Sequence, residues 1–160
     1  MLIGFPMNSI RHFTEIGNFW YFKLFLEIKI LKTLKKANFN VIYKIHPDVL
    51  GWEKIMLNYC DEIRYTKFED KISDIDLTIF TYTANSCLMP AICSNIPIII
   101  FDTNLDNYNK NQFQAFNKRC KILKIKFDKR GYLFDEKNFI ETIDNMNTDI
   151  DNEYFERFLV

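Results

Sequence analysis

Two polar segments directly follow buried, strand-like runs, and their side chains are the ones in this chain best suited to chemistry. His46 follows the apolar run 41–45, and a turn rich in hydroxyl and amide groups, 81–86, follows the run 77–80. A histidine with its ordinary pKa of about 6.5 can serve as a neutral hydrogen-bond partner or as a cation for phosphate. The pattern therefore predicts a ligand site at strand ends. Two plainer interpretations stay open: a histidine held by backbone carbonyls, and a turn that only caps a helix.

The stretch 74–102 determines how these segments are positioned. Apolar runs at 77–80 and 98–101, bounded by turn residues and rich in β-branched side chains, are typical of strands buried on both faces. The segment between them has room only for a crossover with a brief helix, so the two strands are predicted to be parallel. Ligands bind in the crevice beyond the carboxyl ends of such strands. The polar turn 81–86 is therefore expected at a ligand site.

The rest of the chain alternates between strand-like and helix-like segments. Further strands are predicted at 2–5, 41–45, 62–65 and, weakly, 120–127, and further helices at 18–36, 48–59, 112–119 and 135–146. This order predicts an α/β fold with a Rossmann-like, mostly parallel sheet of about five strands in the order 3-2-1-4-5 and helices on both faces. Residues 1–146 form this domain in our interpretation, and the tail 147–160 either adds a terminal helix or frays.

The first long helix, 18–36, is predicted from apolar residues that recur at three- and four-residue steps, Phe25 among them. Charged residues such as Lys23 and Glu27 fall between the apolar ones, so we expect an amphipathic helix that packs flat on the sheet. Arg119, at the end of a later helix, is expected to be a solvated charge.

Composition restricts the function classes. A chain of 160 residues is the size of one domain. The formal charge balances, with 21 basic and 21 acidic residues, so a protein that coats nucleic acid is not expected. Four cysteines without CxxC spacing, and no signal peptide before them, favour a reduced, cytoplasmic chain. No apolar run approaches the about 20 residues of a membrane span, so any membrane contact is expected to be peripheral.

Metal and phosphate-loop chemistry is not predicted. The sequence has only 2 histidines, far apart, and no pair of cysteines with zinc spacing. The glycine-rich patterns GxGxxG and GxxxxGK[ST] are absent from the sequence as well. We therefore expect neither a metal site nor a bound cofactor.

A longer pattern resembles a known group of enzymes. A strand ends in Lys44-Ile45-His46-Pro47, and it is followed by a strand, a Thr/Ser-rich turn, a short helix and the segment Asn95-Ile96-Pro97-Ile98-Ile99-Ile100-Phe101. Across residues 41–101 this arrangement resembles the C-terminal half of GT-B-fold transferases of bacterial surface polysaccharide assembly. The most similar patterns are those of surface-carbohydrate glycosyltransferases and of the CDP-glycerol glycerophosphotransferases of teichoic acid synthesis.

The resemblance implies roles for individual residues. His46 would lie at the donor phosphates or the nucleotide edge, and Pro47 would fix the turn that presents it. Hydroxyls, an amide and helix N-terminal N–H groups would hold the pyrophosphate, which implies Thr81, Thr83, Asn85 and Ser86. Arg11 and His12, in the loop after the first strand, are further candidates for the same crevice.

One feature departs from the pattern of these families. An acidic residue a few positions into the short helix is implied to hold the donor ribose, and this chain has Met89 and Pro90 at those positions. Neither side chain is a carboxylate that could accept a hydrogen bond from a ribose hydroxyl.

GT-B enzymes use two Rossmann-like domains, and the resemblance covers the donor-binding one. The implied function is the nucleotide-sugar or CDP-polyol binding half of a glycosyltransferase-like transferase. Such a fragment or truncated product is expected to be inactive without an N-terminal partner domain, in trans or in a homo-oligomer, and no catalytic residue is assigned. The alternative is a non-catalytic remnant or protein-interaction domain of the same fold. A flavodoxin-like receiver or a small hydrolase is conceivable on grounds of fold alone.

Overall fold

The computed structural model describes residues 1–5, 20–47, 51, 53–83, 85–102, 110–146, 150–151 and 153–158. The strands are β1 (Leu2–Ile3), β2 (Ile42–Lys44), β3 (Glu62–Arg64), β4 (Thr78–Phe80), β5 (Ile98–Asp102), β6 (Lys121–Lys124), β7 (Lys126–Asp128) and β8 (Gly131–Leu133). The α-helices are α1 (Trp20–Lys36), α2 (Glu53–Met56), α3 (Leu88–Ile92), α4 (Lys110–Arg119), α5 (Glu136–Asp144) and α6 (Glu153–Phe158), and a 3₁₀ helix spans Glu69–Asp74. The predicted start of the second helix, at residue 48, lies outside the described residues.

Within these ranges, six strands form one parallel sheet in the order β3-β2-β1-β4-β5-β6. The predicted α/β class, the parallel pairing of β4 with β5 and the order 3-2-1-4-5 are confirmed, and β6 extends the sheet by one strand. A helix or a helical turn lies between successive strands of this sheet, so each crossover brings the chain back to the edge where the strands begin, and neighbouring strands run parallel.

The weakly predicted strand 120–127 is two strands. β6 pairs with β5 in the main sheet, and after Ile125 the chain enters β7, which pairs antiparallel with β8. The hairpin turn follows from local chemistry: Asp128 Oδ1 accepts the Arg130 N–H at 2.7 Å, and Gly131 has a φ of 101°, which a glycine adopts without strain. The hairpin packs on α1, where the Phe22 and Phe127 ring centroids lie 4.9 Å apart.

The sheet is covered on both faces, and its side chains alternate between two hydrophobic clusters. On one face, Leu2 and Tyr43 pack with residues of α1 and α5. On the other face, Ile3 and Phe80 pack with residues of α3, α4 and α6. The sequence of a strand that is buried on both faces is a continuous apolar run, and such runs are the pattern from which the central strands were predicted.

The prediction for the charged face of α1 was wrong at two positions. Lys23 and Glu27 are 1% and 0% exposed, whereas Phe25 is 64% exposed. Glu27, Ile30 and Leu34 follow one another at three- and four-residue steps, so the carboxylate belongs to the buried stripe of the helix. A charged side chain is found there because polar groups from neighbouring strands bind it, as described below.

Arg119 also differs from its prediction, since it is 5% exposed and not a solvated charge. Its guanidinium donates hydrogen bonds to backbone carbonyls around the end of α3, among them Ala91 O at 2.8 Å and Ser94 O at 2.7 Å. Buried carbonyls need donors, and here one side chain supplies them.

Candidate functional site

A cleft of about 630 Å³ lies at the carboxyl ends of β1, β2 and β3. Its walls come from the ends of these strands, from the 3₁₀ helix and from the turn before α3: Ile3, Gly4, Lys44, Ile45, His46, Pro47, Tyr65, Thr66, Lys67, Phe68, Glu69, Asp70, Asn85, Ser86 and Cys87. The volume is within the range of about 300–1,000 Å³ that is typical of small-molecule sites. The position is the one where open parallel sheets bind ligands.

The cleft brings together four residues that the sequence proposed for one site. His46 and Pro47 come from the end of β2, and Asn85 and Ser86 come from the turn after β4. His46 and Asn85 are half-buried, while Pro47 and Ser86 are exposed. These segments share one edge because β1 lies between β2 and β4 and all three strands are parallel.

Two other proposed residues, Thr81 and Thr83, do not line this cleft. Thr81 is fully buried, and its hydroxyl donates to Glu27 Oε1 at 3.2 Å in the protein interior. Thr83 is half-buried, and its carbonyl accepts the Asn85 N–H at 2.8 Å. Arg11 and His12 lie outside the described residues.

The turn before α3 uses most of its own N–H groups. Asn85 Oδ1 accepts the Cys87 N–H at 2.9 Å, and Asn85 O accepts the Leu88 N–H at 3.0 Å. These bonds make Asn85 part of a turn that leads into the short helix, whose N-cap residue is Cys87. Pro90 is accommodated because it stands near the start of the helix, where its missing N–H costs little. Hydrogen bonding towards the cleft therefore depends mainly on side chains.

Lys44 is a cleft residue that the sequence reasoning did not select. It ends the fully buried strand β2, is 8% exposed, and its Nζ donates to Ile45 O at 3.0 Å. Burial lowers the pKa of Lys44, and the nearby Cys87 and Glu69 oppose that shift. A lysine at the end of an otherwise apolar strand, two residues before His46, is the signal that could have revealed it.

The segment after β3 brings acidic side chains to the cleft. Glu69 and Asp70 are exposed residues at the start of the 3₁₀ helix and line the cleft. Tyr65, 66% exposed, and Lys67 precede them in the same segment. The cleft thus combines Lys44 and an amide from β2 and the turn before α3 with two carboxylates and a second lysine from the segment after β3.

A buried polar network lies behind the cleft and connects the strand ends to α1. Glu27 Oε1 accepts the Phe5 N–H at 2.7 Å, and Glu27 Oε2 accepts the Tyr43 hydroxyl at 2.8 Å. Burial raises the pKa of Glu27 to about 7, against the lowering effect of these hydrogen bonds. Together with the bond from Thr81, the carboxylate binds groups from three neighbouring strand segments.

Lys23 lies one helical turn before Glu27 and is buried with it. Its Nζ is 4.9 Å from the Tyr132 ring centroid and 5.6 Å from that of Phe5. Burial lowers the pKa of Lys23 to about 7, and the charge of Glu27 acts in the opposite direction. Neither residue lines the cleft; Glu27 binds groups at the ends of β1 and β4 and in β2, and so holds the strands from which the cleft is built.

Among the described residues, no group of His, Cys, Asp and Glu side chains is arranged to hold a metal ion. In the ranges given above, no helix has the length and apolar character needed to cross a membrane. Comparison with protein-family models, with curated proteins and with solved structures finds no match for this chain.

Proposed function

We propose that the cleft binds a nucleotide-linked sugar or polyol and that this chain is the donor-binding half of a glycosyltransferase-like transferase of surface polysaccharide synthesis. One observation carries the proposal: the His46-Pro47 pair and the Asn85-Ser86 turn, which carry the resemblance to GT-B transferases, line a single cleft. An acceptor site and a catalytic base would then come from a second domain, in trans or in another copy of the chain.

The chemistry of the cleft suits such a donor. His46 offers an imidazole that binds phosphate as a cation or a nucleotide edge as a neutral partner. Ser86 adds an exposed hydroxyl on the same side. In a transfer reaction these groups would stabilise the negative charge that develops on the leaving diphosphate, which is an electrostatic role.

The missing acidic residue of the short helix has a candidate replacement across the cleft. Met89 and Pro90 cannot accept a hydrogen bond through a carboxylate, but Glu69 and Asp70 can, and both line the cleft. A sugar or ribose hydroxyl on the β3 side would find an acceptor there. This arrangement orients a donor with its phosphates towards β2 and α3.

A thermal-shift panel of CMP-, CDP- and UDP-linked sugars and polyols tests the proposal. A ligand at about 100 times its dissociation constant adds about 2.7 kcal/mol of stability, which a melting experiment resolves. We expect one nucleotide class to stabilise the chain and His46→Ala to abolish that shift while the unliganded melting curve keeps its shape. Asn40→Ala, an exposed residue before the opposite end of β2, is the control and should keep the shift.

A protein-interaction role is the second candidate, and exposed aromatic rings on α1 favour it. Phe25 is 64% exposed and Tyr21, one turn earlier, is 38% exposed. Such apolar surface on a helix is typical of a site that contacts another polypeptide. Light scattering tests this role by measuring whether the chain self-associates as its concentration rises. Self-association, together with no stabilisation by any nucleotide of the panel, would favour the interaction role over donor binding.

A further inference from the structure

We propose that Lys44 Nζ and Asn85 Nδ2 form an oxyanion subsite in the wall of the cleft, and that this subsite binds the phosphate oxygens of the ligand. The inference rests on the proposed function in one respect: the proposed function identifies that ligand as a nucleotide diphosphate donor. The subsite itself is argued from the hydrogen bonding of the two side chains.

The Lys44 ammonium is buried with most of its hydrogen-bonding capacity unused. An ammonium has three N–H donors, and within the described part of the chain one of them reaches an acceptor, Ile45 O at 3.0 Å. The side chain is 8% exposed, and the ranges described contain no salt bridge to it. A desolvated charge of this kind is costly unless an opposite charge and hydrogen bonds compensate it. Because Lys44 lines the cleft, an anion in the cleft can supply both.

Asn85 contributes a second donor without an acceptor. Its Oδ1 accepts the Cys87 N–H at 2.9 Å, and since a backbone N–H can only donate, this bond establishes which end of the amide is the oxygen. Its Nδ2 is buried and has no hydrogen-bond partner among the residues that the structure describes. The side chain as a whole is half-buried and lines the cleft, as Lys44 does.

The two donors come from different strand ends and line the same cleft. Lys44 ends β2, and Asn85 stands in the turn that leads from β4 into α3. A ligand that satisfies both donors needs hydrogen-bond acceptors and a negative charge. Phosphate and diphosphate groups meet both requirements.

The carboxylates in the cleft bear on the same ammonium. Glu69 is near enough for its charge to act on Lys44, so a bound phosphate competes with Glu69 for the ammonium. Glu69 and Asp70 are acceptors for hydroxyl groups of a ligand, whereas Lys44 and Asn85 Nδ2 are donors for its phosphate oxygens. Inorganic pyrophosphate has only the phosphate groups of the donor, whereas a nucleoside diphosphate also has its nucleoside. Binding of pyrophosphate therefore tests the subsite, and added affinity for a nucleoside diphosphate tests the wider site.

Isothermal titration of the full chain with pyrophosphate and with CDP and UDP tests the subsite. We expect Lys44→Met to weaken pyrophosphate binding by about tenfold to a hundredfold, because a charge-assisted contact is lost. Asn85→Asp keeps an oxygen that accepts the Cys87 N–H and replaces the donor by a negative charge, and it should weaken binding at least as much. Lys121→Met, an exposed lysine of β6, is the matched control and should bind as the unmodified chain does.

The outcomes separate the two proposals. The subsite is overturned if the unmodified chain, Lys44→Met and Asn85→Asp bind pyrophosphate with equal affinity. It is also overturned if the unmodified chain does not bind pyrophosphate. Nucleotide binding that survives both substitutions leaves the proposed function standing without this subsite. Pyrophosphate binding that depends on Lys44, with no added affinity for any nucleoside diphosphate, keeps the subsite and contradicts the proposed function. If Lys44→Met does not fold, Asn85→Asp decides alone, since aspartate keeps an oxygen for the Cys87 N–H and suits the same kind of turn.

Discussion

Glu27 and Lys23 show how a single pair of residues can hold the strand ends that build the cleft. The carboxylate accepts from Phe5 at the end of β1, from Tyr43 in β2 and from Thr81 after β4. Removing one of these hydrogen-bonded groups leaves a buried polar atom without its partner, which typically costs about 1–3 kcal/mol. The pair therefore affects the site through the geometry of the strands and not through contact with a ligand.

The pKa values of this pair predict an unusual dependence of stability on pH. Burial raises the pKa of Glu27 from 4.5 to about 7, so between these values the unfolded chain is ionised while the folded chain keeps the proton, and stability falls as the pH rises. Burial lowers the pKa of Lys23 from 10.5 to about 7, so above pH 7 the folded chain loses a proton that the unfolded chain keeps, and stability rises again. The contribution of the pair is smallest near pH 7.

Glu27→Gln tests this dependence by urea unfolding at several pH values. Glutamine keeps an oxygen for the Phe5 N–H and offers an N–H to the Tyr43 hydroxyl, so the fold should be retained. The stability of the unmodified chain relative to Glu27→Gln should fall by on the order of 2–3 kcal/mol as the pH rises from about 4.5 to about 7. Glu141→Gln, an exposed glutamate of α5, should leave the pH dependence unchanged. Identical pH profiles for the unmodified chain and Glu27→Gln would show that Glu27 does not titrate in this way.

At the scale of elements, α4 holds the crossover that carries the turn before α3. The Arg119 guanidinium donates to Ala91 O, Ile92 O, Ser94 O and Ile96 O at distances of 2.8, 3.0, 2.7 and 3.0 Å. These carbonyls lie at the end of α3 and in the loop to β5. A short helix leaves its last carbonyls without intrahelical donors, and the arginine supplies them from outside the helix.

We expect Arg119→Met to lower the free energy of unfolding by about 3–5 kcal/mol, because several buried carbonyls lose a charged donor at once. Urea denaturation measures the change as a lower midpoint with an unchanged slope. Arg130→Met removes an arginine that is paired with Asp128 on the surface, and it should cost at most about 1 kcal/mol. Equal effects of the two substitutions would contradict a specific role for Arg119.

At the scale of the whole molecule, the two clusters meet at the sheet, and α6 closes the cluster on the α3 and α4 side. Tyr154 is 6% exposed, and its ring centroid lies 5.3 Å from that of Phe116 in α4. Glu153 accepts a hydrogen bond from Lys118 of the same helix α4. The C-terminal segment therefore packs on the domain through a buried ring and a surface ion pair.

Tyr154→Ala should lower the free energy of unfolding by about 3 kcal/mol, since it removes a buried aromatic ring. If α6 belongs to the same cooperative unit as the sheet, far-ultraviolet and near-ultraviolet circular dichroism will follow one coincident transition. Glu156→Ala, an exposed position on the same helix, serves as the control with little expected change. An unchanged midpoint for Tyr154→Ala, or a separate early transition in the unmodified chain, would mean that α6 folds independently of the sheet.

The sequence by itself determined the class of the fold and the edge of the sheet at which to look for a site. Short β-branched runs, helical periodicity and turn residues are local signals, and the rule for parallel crossovers converts their order into the topology 3-2-1-4-5. The same rule places His46 and the turn around Asn85 at one edge of the sheet. These inferences succeed because each depends on residues near one another in the chain.

Only the tertiary structure decided which polar side chains are buried and which hydrogen bonds they make. Glu27 finds its partners 22, 16 and 54 residues away, so no local pattern distinguishes it from the charges on the outer face of α1. Arg119 reaches carbonyls 23 to 28 residues earlier for the same reason. The unused donors of Lys44 and Asn85 are also defined by three-dimensional packing, because a donor is left without an acceptor only once every neighbouring group has its place.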